Sequence, residues 1–135
     1  MLHDTQAPSL TRMWIHDHSN YGVRGSSVRG LTIAQSVVNG TNGDNATTPY
    51  DDSSILLTDL TGSASITATH VSGGLEDNLR VANAAGSLDR LTLDHVTLAA
   101  SGNRPTNDAV AVESTSGAGA LKADRHRQRL PERSR

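Results

Sequence analysis

The sequence predicts an all-β fold in which short strands recur along the chain and stack as a solenoid. The stretch 91–96 has counterparts of similar character at 66–71, 31–36 and 13–18, and in all four the first and third residues are apolar. That period of two is typical of a half-buried strand. A second unit at 78–86 aligns without a gap with 54–62 and again with 109–117. Abundant Gly, Ser, Thr, Asn and Asp favour turns between these units.

The composition predicts a thin aliphatic core. The 135 residues include no Phe, one Trp and two Tyr, so the interior must be filled by Leu, Val, Ile and Ala. No cysteine is present, which excludes disulfides and thiolate metal sites. No apolar run approaches the roughly 20 residues that a membrane-spanning helix needs.

The predicted elements follow one another in chain order. Residues 1–12 are polar, contain Pro8 and are expected to form a poorly ordered lead-in. Strands of the first unit are expected at 13–19, 31–38, 66–71 and 91–98, and strands of the second unit at 21–24, 54–60, 79–83 and 109–114. Turn formers without an apolar period predict loops at 39–53 and 99–108. The repeats thus occupy 13–116, and 117–135 is expected to be a basic disordered tail.

The spacing of the first unit indicates a parallel β-helix. Its copies start at 13, 31, 66 and 91, and without the 39–53 loop the step is near 20 to 25 residues, a repeat of one supersecondary unit. The leucine-rich repeat consensus is absent, whereas short strands, Gly/Asn/Asp corners and aliphatic stacks are present. The alignment predicts two inner stacks, Met13-Leu31-Ile66-Leu91 and Ile15-Ile33-Ala68-Leu93, and an outer ladder of Trp14, Thr32, Thr67 and Thr92.

Residues 37–43, 60–66, 73–79 and 86–93 carry a resemblance to a known family. With their glycine-rich turns and aliphatic strands, they resemble the right-handed parallel β-helix repeats of large bacterial surface and secreted proteins, within the pectate-lyase-like superfamily. Pectate-lyase-like enzymes, phage tailspikes, adhesins and autotransporter passengers share this pattern. The resemblance implies a right-handed parallel β-helix of about four coils, a fragment of a longer solenoid, in an extracellular or cell-surface setting. No signal peptide pattern is present at residue 1.

Histidines supply two candidate metal sites. His70 and His95 occupy the same position of the aligned repeat, so stacking on adjacent coils would let them share a metal or a proton. A polar corner ladder is the favoured interpretation, because Gln35 is equivalent in another copy. His16 and His18 are two residues apart, which on a strand places both imidazoles on one face, as zinc binding requires. No third ligand is fixed, so surface polarity is favoured there too.

The 39–53 loop offers oxygen ligands for calcium. Asp44, Asp51 and Asp52 are the carboxylates of a type that Ca²⁺ takes, although the EF-hand spacing is missing. Aspartate also suits tight turns, and a solvated loop is the favoured interpretation.

No catalytic set is expected from this sequence, and no cofactor. A polysaccharide lyase or hydrolase needs clustered carboxylates with a basic residue on one outer face. Asp59, Asp94 and Glu113 are scattered through the repeat, and Arg80 and Arg90 do not converge on them.

Charge divides the chain into an acidic body and a basic tail. Residues 1–120 contain 12 acidic and 6 basic residues, whereas 121–135 contain 6 basic and 2 acidic residues. The tail has no aromatic residue to stack on bases, so nucleic-acid binding is not favoured. The sequence therefore predicts a structural or adhesive segment of a bacterial extracellular or cell-surface protein, with polysaccharide or neighbouring coils as partners. The alternative is a non-catalytic piece of a β-helix polysaccharide lyase or glycoside hydrolase.

Overall fold

The computed structural model describes residues 1–44, 52–99, 109–114 and 123–125. This part of the chain is built from short strands and contains no helix, so it has no helix that could cross a membrane. In chain order the strands are β1 (Leu2–His3), β2 (Ser9–Thr11), β3 (Trp14–His16), β4 (Val23–Ser26), β5 (Thr32–Ala34), β6 (Val37–Asn39), β7 (Ile55–Thr58), β8 (Gly62–Thr67), β9 (His70–Ser72), β10 (Leu79–Asn83), β11 (Leu88–Asp94), β12 (Thr97–Ala99), β13 (Val110–Ser114) and β14 (Ala123–Arg125).

The strands form three parallel sheets that run the length of a solenoid. The first sheet has the order β1-β4-β7-β10-β13, the second β14-β11-β8-β5-β2 and the third β12-β9-β6-β3. Every ladder between these strands is parallel. Each turn of the chain thus contributes one strand to each sheet, and about four turns stack on one another. The predicted all-β parallel solenoid is confirmed.

The first twelve residues, expected to be a lead-in, form part of the first coil. Strand β1 pairs with β4, and β2 pairs with β5. Strand β3 then enters the third sheet beside β6. The aliphatic residues Leu2, Leu10 and Ile15 of this coil pack on the core cluster. The polar composition of 1–12 conceals these strands because each has only one inward aliphatic side chain.

Aliphatic residues of successive coils stack inside the solenoid, as predicted, but the residues that pair differ from the predicted ones. In the second sheet the inward column is Leu10, Ile33, Ile66 and Leu93. In the third sheet it is Ile15, Val38, Val71 and Leu98. The predicted pairing of Ile66 with Leu91 is therefore wrong by two residues, since Leu91 lies opposite Ala64. Both predicted stacks fail at a second point, because Met13 is 42% exposed and Ala68 is an exposed corner residue.

The second-unit alignment is confirmed along its strands, although at its end Gly62 lies opposite Leu88 and not opposite the aligned Gly86. Leu79 lies opposite both Ile55 and Val110, as the gapless alignment requires. Val23 extends the same column on the other side of Ile55. Leu57 and Val81 form the next inward pair along these strands, and both are fully buried.

The corner between the second and third sheets repeats in every coil. Arg12, Gln35, Ala68 and His95 occupy it with φ between +46° and +56°. The next residue of the two middle coils is a buried hydroxyl, Ser36 or Thr69. The Thr69 hydroxyl accepts the Ser36 N–H at 3.3 Å and donates to the Thr67 carbonyl at 2.8 Å. These hydroxyls satisfy backbone groups that the turn removes from the ladders.

Buried asparagines bond backbone groups at two other turns. Asn42 is fully buried and donates from Nδ2 to the Asn39 carbonyl and to the Ser54 hydroxyl, both at 3.0 Å. Asn83 binds the backbone of Leu60 twice, accepting its N–H at 2.9 Å and donating to its carbonyl at 2.6 Å. An amide side chain has both a donor and an acceptor, so at a turn it can bond the backbone groups that a neighbouring strand bonds elsewhere.

Candidate functional site

The outer side of the third sheet presents a narrow face, here called the third-sheet face. The middle residue of each strand points inward, so the first and third residues point outward. The outward residues form one row of four, Trp14-Val37-His70-Thr97, and two pairs, His16-Asn39 and Ser72-Ala99. None of these eight residues is Asp, Glu, Lys or Arg. The face therefore combines an aromatic ring, imidazoles, an amide and hydroxyls without a fixed charge.

Trp14 is the dominant feature of this face. Its side chain is a large exposed hydrophobic group, with the residue 72% exposed. The indole Nε1 donates to Asn39 Oδ1 of the next coil at 3.1 Å, and the ring lies 4.9 Å, centroid to centroid, from His16. The ring is thus held from two sides while much of its surface meets solvent. An aromatic side chain held in place loses little entropy when a ligand stacks on it.

The corner that follows β3 holds His16 in turn. His16 Nδ1 lies 2.8 Å from Asp17 Oδ2, and Asp17 Oδ1 accepts the Thr41 N–H at 2.9 Å. The Thr41 N–H and then the His16 hydrogen bond lower the pKa of Asp17. Asp17 is consequently an anion at neutral pH, and it ties the first coil to the second at the edge of the face.

The histidine pair that the first-unit alignment brings together is separated in the structure. His70 is an outward residue of β9, opposite Val37 and Thr97. His95 lies at the corner after β11, with φ +51°, and its Nδ1 is 2.7 Å from Asp94 Oδ1. The prediction that the two histidines occupy equivalent positions is wrong, because the alignment was displaced by two residues.

The spacing argument for His16 and His18 also fails. Strand β3 ends at His16, and Asp17 turns the chain with φ +56°, so His18 lies beyond the corner. The backbone N–H of His18 donates to Asn42 Oδ1 at 3.4 Å. The two imidazoles therefore do not share a strand face.

The predicted calcium ligands are only partly described. Asp51 lies outside the described residues. The Asp44 N–H donates to Asp52 Oδ1 at 3.1 Å, and the Asp52 N–H donates to Glu76 Oε2 at 3.3 Å. Within the described ranges, no three His, Cys, Asp or Glu side chains are grouped so that they could hold a metal ion. Calcium binding by this loop stays a prediction.

An ion cluster lies on the outer side of the first sheet, and it shows that the expected separation of Arg80 from Glu113 is wrong. Arg80 donates from Nη1 to Asp77 Oδ2 at 3.2 Å and from Nη2 to Glu113 Oε2 at 2.6 Å. The Arg80 side chain is 7% exposed and that of Glu113 48% exposed. The second-unit alignment contained the signal, because it places Arg80 opposite Ala111, two residues from Glu113. Charge-assisted bonds of this kind join the turn before β10 to strand β13.

From the sequence, His16 is named only as a candidate metal ligand, and neither Trp14 nor Asn39 is named as a site residue. Trp14 was expected on an outer ladder, but among the threonines that the structure places in the second sheet. The available signal was the only tryptophan of the chain at an outward strand position, two residues from a histidine.

Comparison of the chain with protein-family models, with curated proteins and with solved structures gives no match.

Proposed function

We propose that this chain is a structural or adhesive segment of a bacterial extracellular or cell-surface protein, and that it binds carbohydrate on the third-sheet face. The stacked parallel coils support the role of a stiff rod. The resemblance of the turns and strands to bacterial surface β-helix repeats supports the setting. The exposed, anchored ring of Trp14 carries the binding proposal.

The chemistry of the face suits a sugar. A pyranose ring has an apolar side of C–H groups, which packs on the face of an aromatic ring, and a rim of hydroxyls that need donors and acceptors. Because the Trp14 N–H is already bonded to Asn39, the indole offers its ring surface to a ligand. The imidazole of His16 and the hydroxyl of Ser72 stand on the same face and can exchange hydrogen bonds with sugar hydroxyls.

Binding to a panel of immobilised glycans tests the proposal. We expect Trp14→Ala to weaken the binding of any retained glycan roughly 30-fold, the effect of a loss of about 2 kcal/mol at an interface anchor. Trp14→Phe should retain part of the affinity, because it keeps a ring but loses the bond to Asn39.

Arg90→Ala is the matched control, since it truncates a large exposed side chain on the second sheet. Its binding should equal that of the unchanged protein. Retention of full affinity by Trp14→Ala, or a panel without any bound glycan, would refute carbohydrate binding at this face.

The alternative is a non-catalytic piece of a polysaccharide lyase or glycoside hydrolase, and one ion cluster bears on whether this chain has a catalytic set of its own. Arg80, Asp77 and Glu113 bring a basic residue and two carboxylates together on one outer face. However, the buried guanidinium is bonded to both carboxylates, so a structural role explains the cluster without a substrate. Incubation with pectin and alginate tests for catalysis by this chain. Unsaturated products would indicate a lyase, new reducing ends without unsaturation would indicate a hydrolase, and binding without turnover is the result expected of a segment that has no catalytic set.

A further inference from the structure

We infer that Asn39 is a site of spontaneous deamidation, at which the backbone nitrogen of Gly40 displaces the side-chain amide. The product carries a fixed negative charge beside Trp14 on the third-sheet face. This inference does not depend on carbohydrate binding. Three observations lead to it: the sequence at this turn, the end of the ladder between β6 and β9, and the contrast with a second asparagine in the same turn.

The chain contains two Asn-Gly sequences, Asn39-Gly40 and Asn42-Gly43. A glycine after an asparagine leaves its own backbone nitrogen accessible, because glycine has no side chain to shield it. In the reaction this nitrogen forms a bond to Cγ of the asparagine, and the bond from Cγ to Nδ2 breaks. The proton of the backbone nitrogen leaves with Nδ2 as ammonia, and a cyclic imide remains. Both sequences have the required groups, so the folded structure decides which of them reacts.

Water completes the reaction by opening the imide at either of its carbonyls. Addition at Cγ gives aspartate, whereas addition at the backbone carbonyl of residue 39 gives isoaspartate, whose main chain passes through Cβ and Cγ. Overall, one water is consumed and one ammonia is released. In both products a carboxylate replaces a neutral amide.

The Gly40 nitrogen is available because the ladder ends before it. Strand β6 pairs with β9 at Val37 and Val38, and the ladder does not continue to a pair between Asn39 and Ser72. In the part of the chain that the structure describes, the Gly40 N–H has no hydrogen-bond acceptor. Gly40 is also exposed. This nitrogen therefore breaks no hydrogen bond before it attacks.

The side chain of Asn39 leaves its amide nitrogen without a bond. Oδ1 accepts the Trp14 Nε1–H at 3.1 Å, and this bond identifies the oxygen, because an indole nitrogen only donates. Nδ2, the leaving group, has no acceptor among the described residues. Asn39 is partly exposed, so water can reach the imide.

Asn42-Gly43 has the same sequence and opposite surroundings. Asn42 is fully buried, and its Nδ2 donates to the Asn39 carbonyl and to the Ser54 hydroxyl, both at 3.0 Å. Its Oδ1 accepts the His18 N–H at 3.4 Å, and the Gly43 N–H donates to the His18 carbonyl at 2.8 Å. Nucleophile and leaving group are both bonded, so reaction at Asn42 requires the turn to open locally first.

Deamidation changes the charge of the third-sheet face. The outward residues of this face carry no fixed charge, and it is flanked by Arg12 at the corner before β3 and by Asp17 at the corner after it. The Asp17 carboxylate already packs against Gly40. A second carboxylate, at residue 39, makes this side of the face anionic where it meets Trp14. The charge beside the indole thus depends on the age of the protein.

The test uses the full chain, incubated in mildly alkaline buffer and sampled over days. Mass spectrometry of its peptides locates each replacement of an amide by a carboxylate. We expect conversion at Asn39 to be at least about tenfold faster than at Asn42, because the bonds around Asn42 must open before it reacts. The same chain unfolded in urea is the control, and there the two asparagines should react at similar rates.

Trp14 reports the new charge because it is the only tryptophan. A carboxylate beside the indole attracts caesium ions and repels iodide ions, which are fluorescence quenchers of opposite charge. We expect the ratio of the caesium to the iodide quenching constant to rise at least about twofold in the converted protein. Asn39→Asp should show the same rise without incubation. Asn39→Gln, which keeps an amide but closes the imide ring far more slowly, should show neither conversion at residue 39 nor a rise during incubation.

Each contrary outcome is distinct. Equal rates at Asn39 and Asn42 in the folded chain, or a faster rate at Asn42, overturn the assignment of the site. Conversion at Asn39 with an unchanged quenching ratio overturns the effect on the third-sheet face. Absence of conversion at Asn39 over the time in which the unfolded chain converts fully overturns the whole inference. Circular dichroism verifies that the incubated chain is folded.

Discussion

Truncation of Ile66 to alanine should destabilise the protein by about 3–4 kcal/mol. Ile66 is 1% exposed and lies in the middle of the second sheet, between Ile33 of one coil and Leu93 of the next. The substitution removes three carbon atoms, which at about 0.8 kcal/mol for each buried methylene costs about 2.4 kcal/mol. Backbone ladders on both sides hold the neighbouring coils at about 4.8 Å spacing, so the cavity cannot close and adds to that cost.

Urea unfolding followed by far-ultraviolet circular dichroism measures this loss as a shift of the midpoint at constant slope. The control is Thr67→Ala, the adjacent outward residue, which should change stability by no more than about 0.5 kcal/mol. Leu10→Ala, in the same column but half-buried in the first coil, should cost an intermediate amount. A loss below about 1 kcal/mol for Ile66→Ala would refute the stacked core.

Three further substitutions test the corners. Gly73→Ala should lower the free energy of unfolding, measured in urea, by at least about 2 kcal/mol, because φ at Gly73 is +79° and a Cβ there would overlap the Gly40 carbonyl. An unchanged free energy of unfolding would contradict this conformation of the turn at Gly73. Asn83→Ala should cost about 2–4 kcal/mol, since it leaves the buried N–H and carbonyl of Leu60 without these bonds, and a cost below about 1 kcal/mol would count against this role. The pKa of Asp17 is lower in the folded state than in the unfolded state. The ionised Asp17 therefore adds to the free energy of unfolding above the unfolded-state pKa of about 3.9, and this stabilisation is lost as the pH falls through the lower pKa of the folded state. The difference in urea midpoint between the unchanged protein and Asp17→Asn should therefore shrink below about pH 4, whereas a pH-independent difference would contradict it.

The sequence predicted the coil stacking correctly because aliphatic residues recur at every second position in the strands around Ile66, Leu79, Leu91 and Val110. In the second unit the sequence alignment placed Leu79 opposite Ile55 and Val110, as the structure does. A glycine or a polar stretch bounds each copy of this unit, so only one alignment matches all three copies. In the first unit the alignment placed Ile66 opposite Leu91, whereas the structure pairs Ile66 with Leu93. A slip of one residue would turn every side chain to the opposite face, but a slip of two keeps inside and outside unchanged. Hydrophobic periodicity alone therefore cannot distinguish these two registers.

Corner conformations determine the register that periodicity leaves open. The chain turns at Gln35, Ala68 and His95 with positive φ, although none of these is a glycine. Such corners carry no clear signal in a single sequence, because their residue types differ from coil to coil. A larger displacement, of five residues, moved Trp14 to the wrong sheet, because the alignment placed it opposite Thr32 whereas the structure pairs it with Val37. It also concealed the position of Trp14 beside His16 and Asn39. The site consequently emerges only when the three-residue strands of the third sheet are known.

The most direct test of the fold is a disulfide between neighbouring coils, in a chain that has no native cysteine. Ser65 and Thr92 are outward partners on adjacent strands, so their Cα atoms should be about 4.8 Å apart, within the range of a disulfide. Thr67 lies one pair further along, so its Cα should be about 8 Å from that of Thr92, too far to be bridged. The parallel register predicts that the double variant Ser65→Cys, Thr92→Cys crosslinks on mild oxidation and that Thr67→Cys, Thr92→Cys does not. Crosslinking of the second pair and not of the first would contradict it.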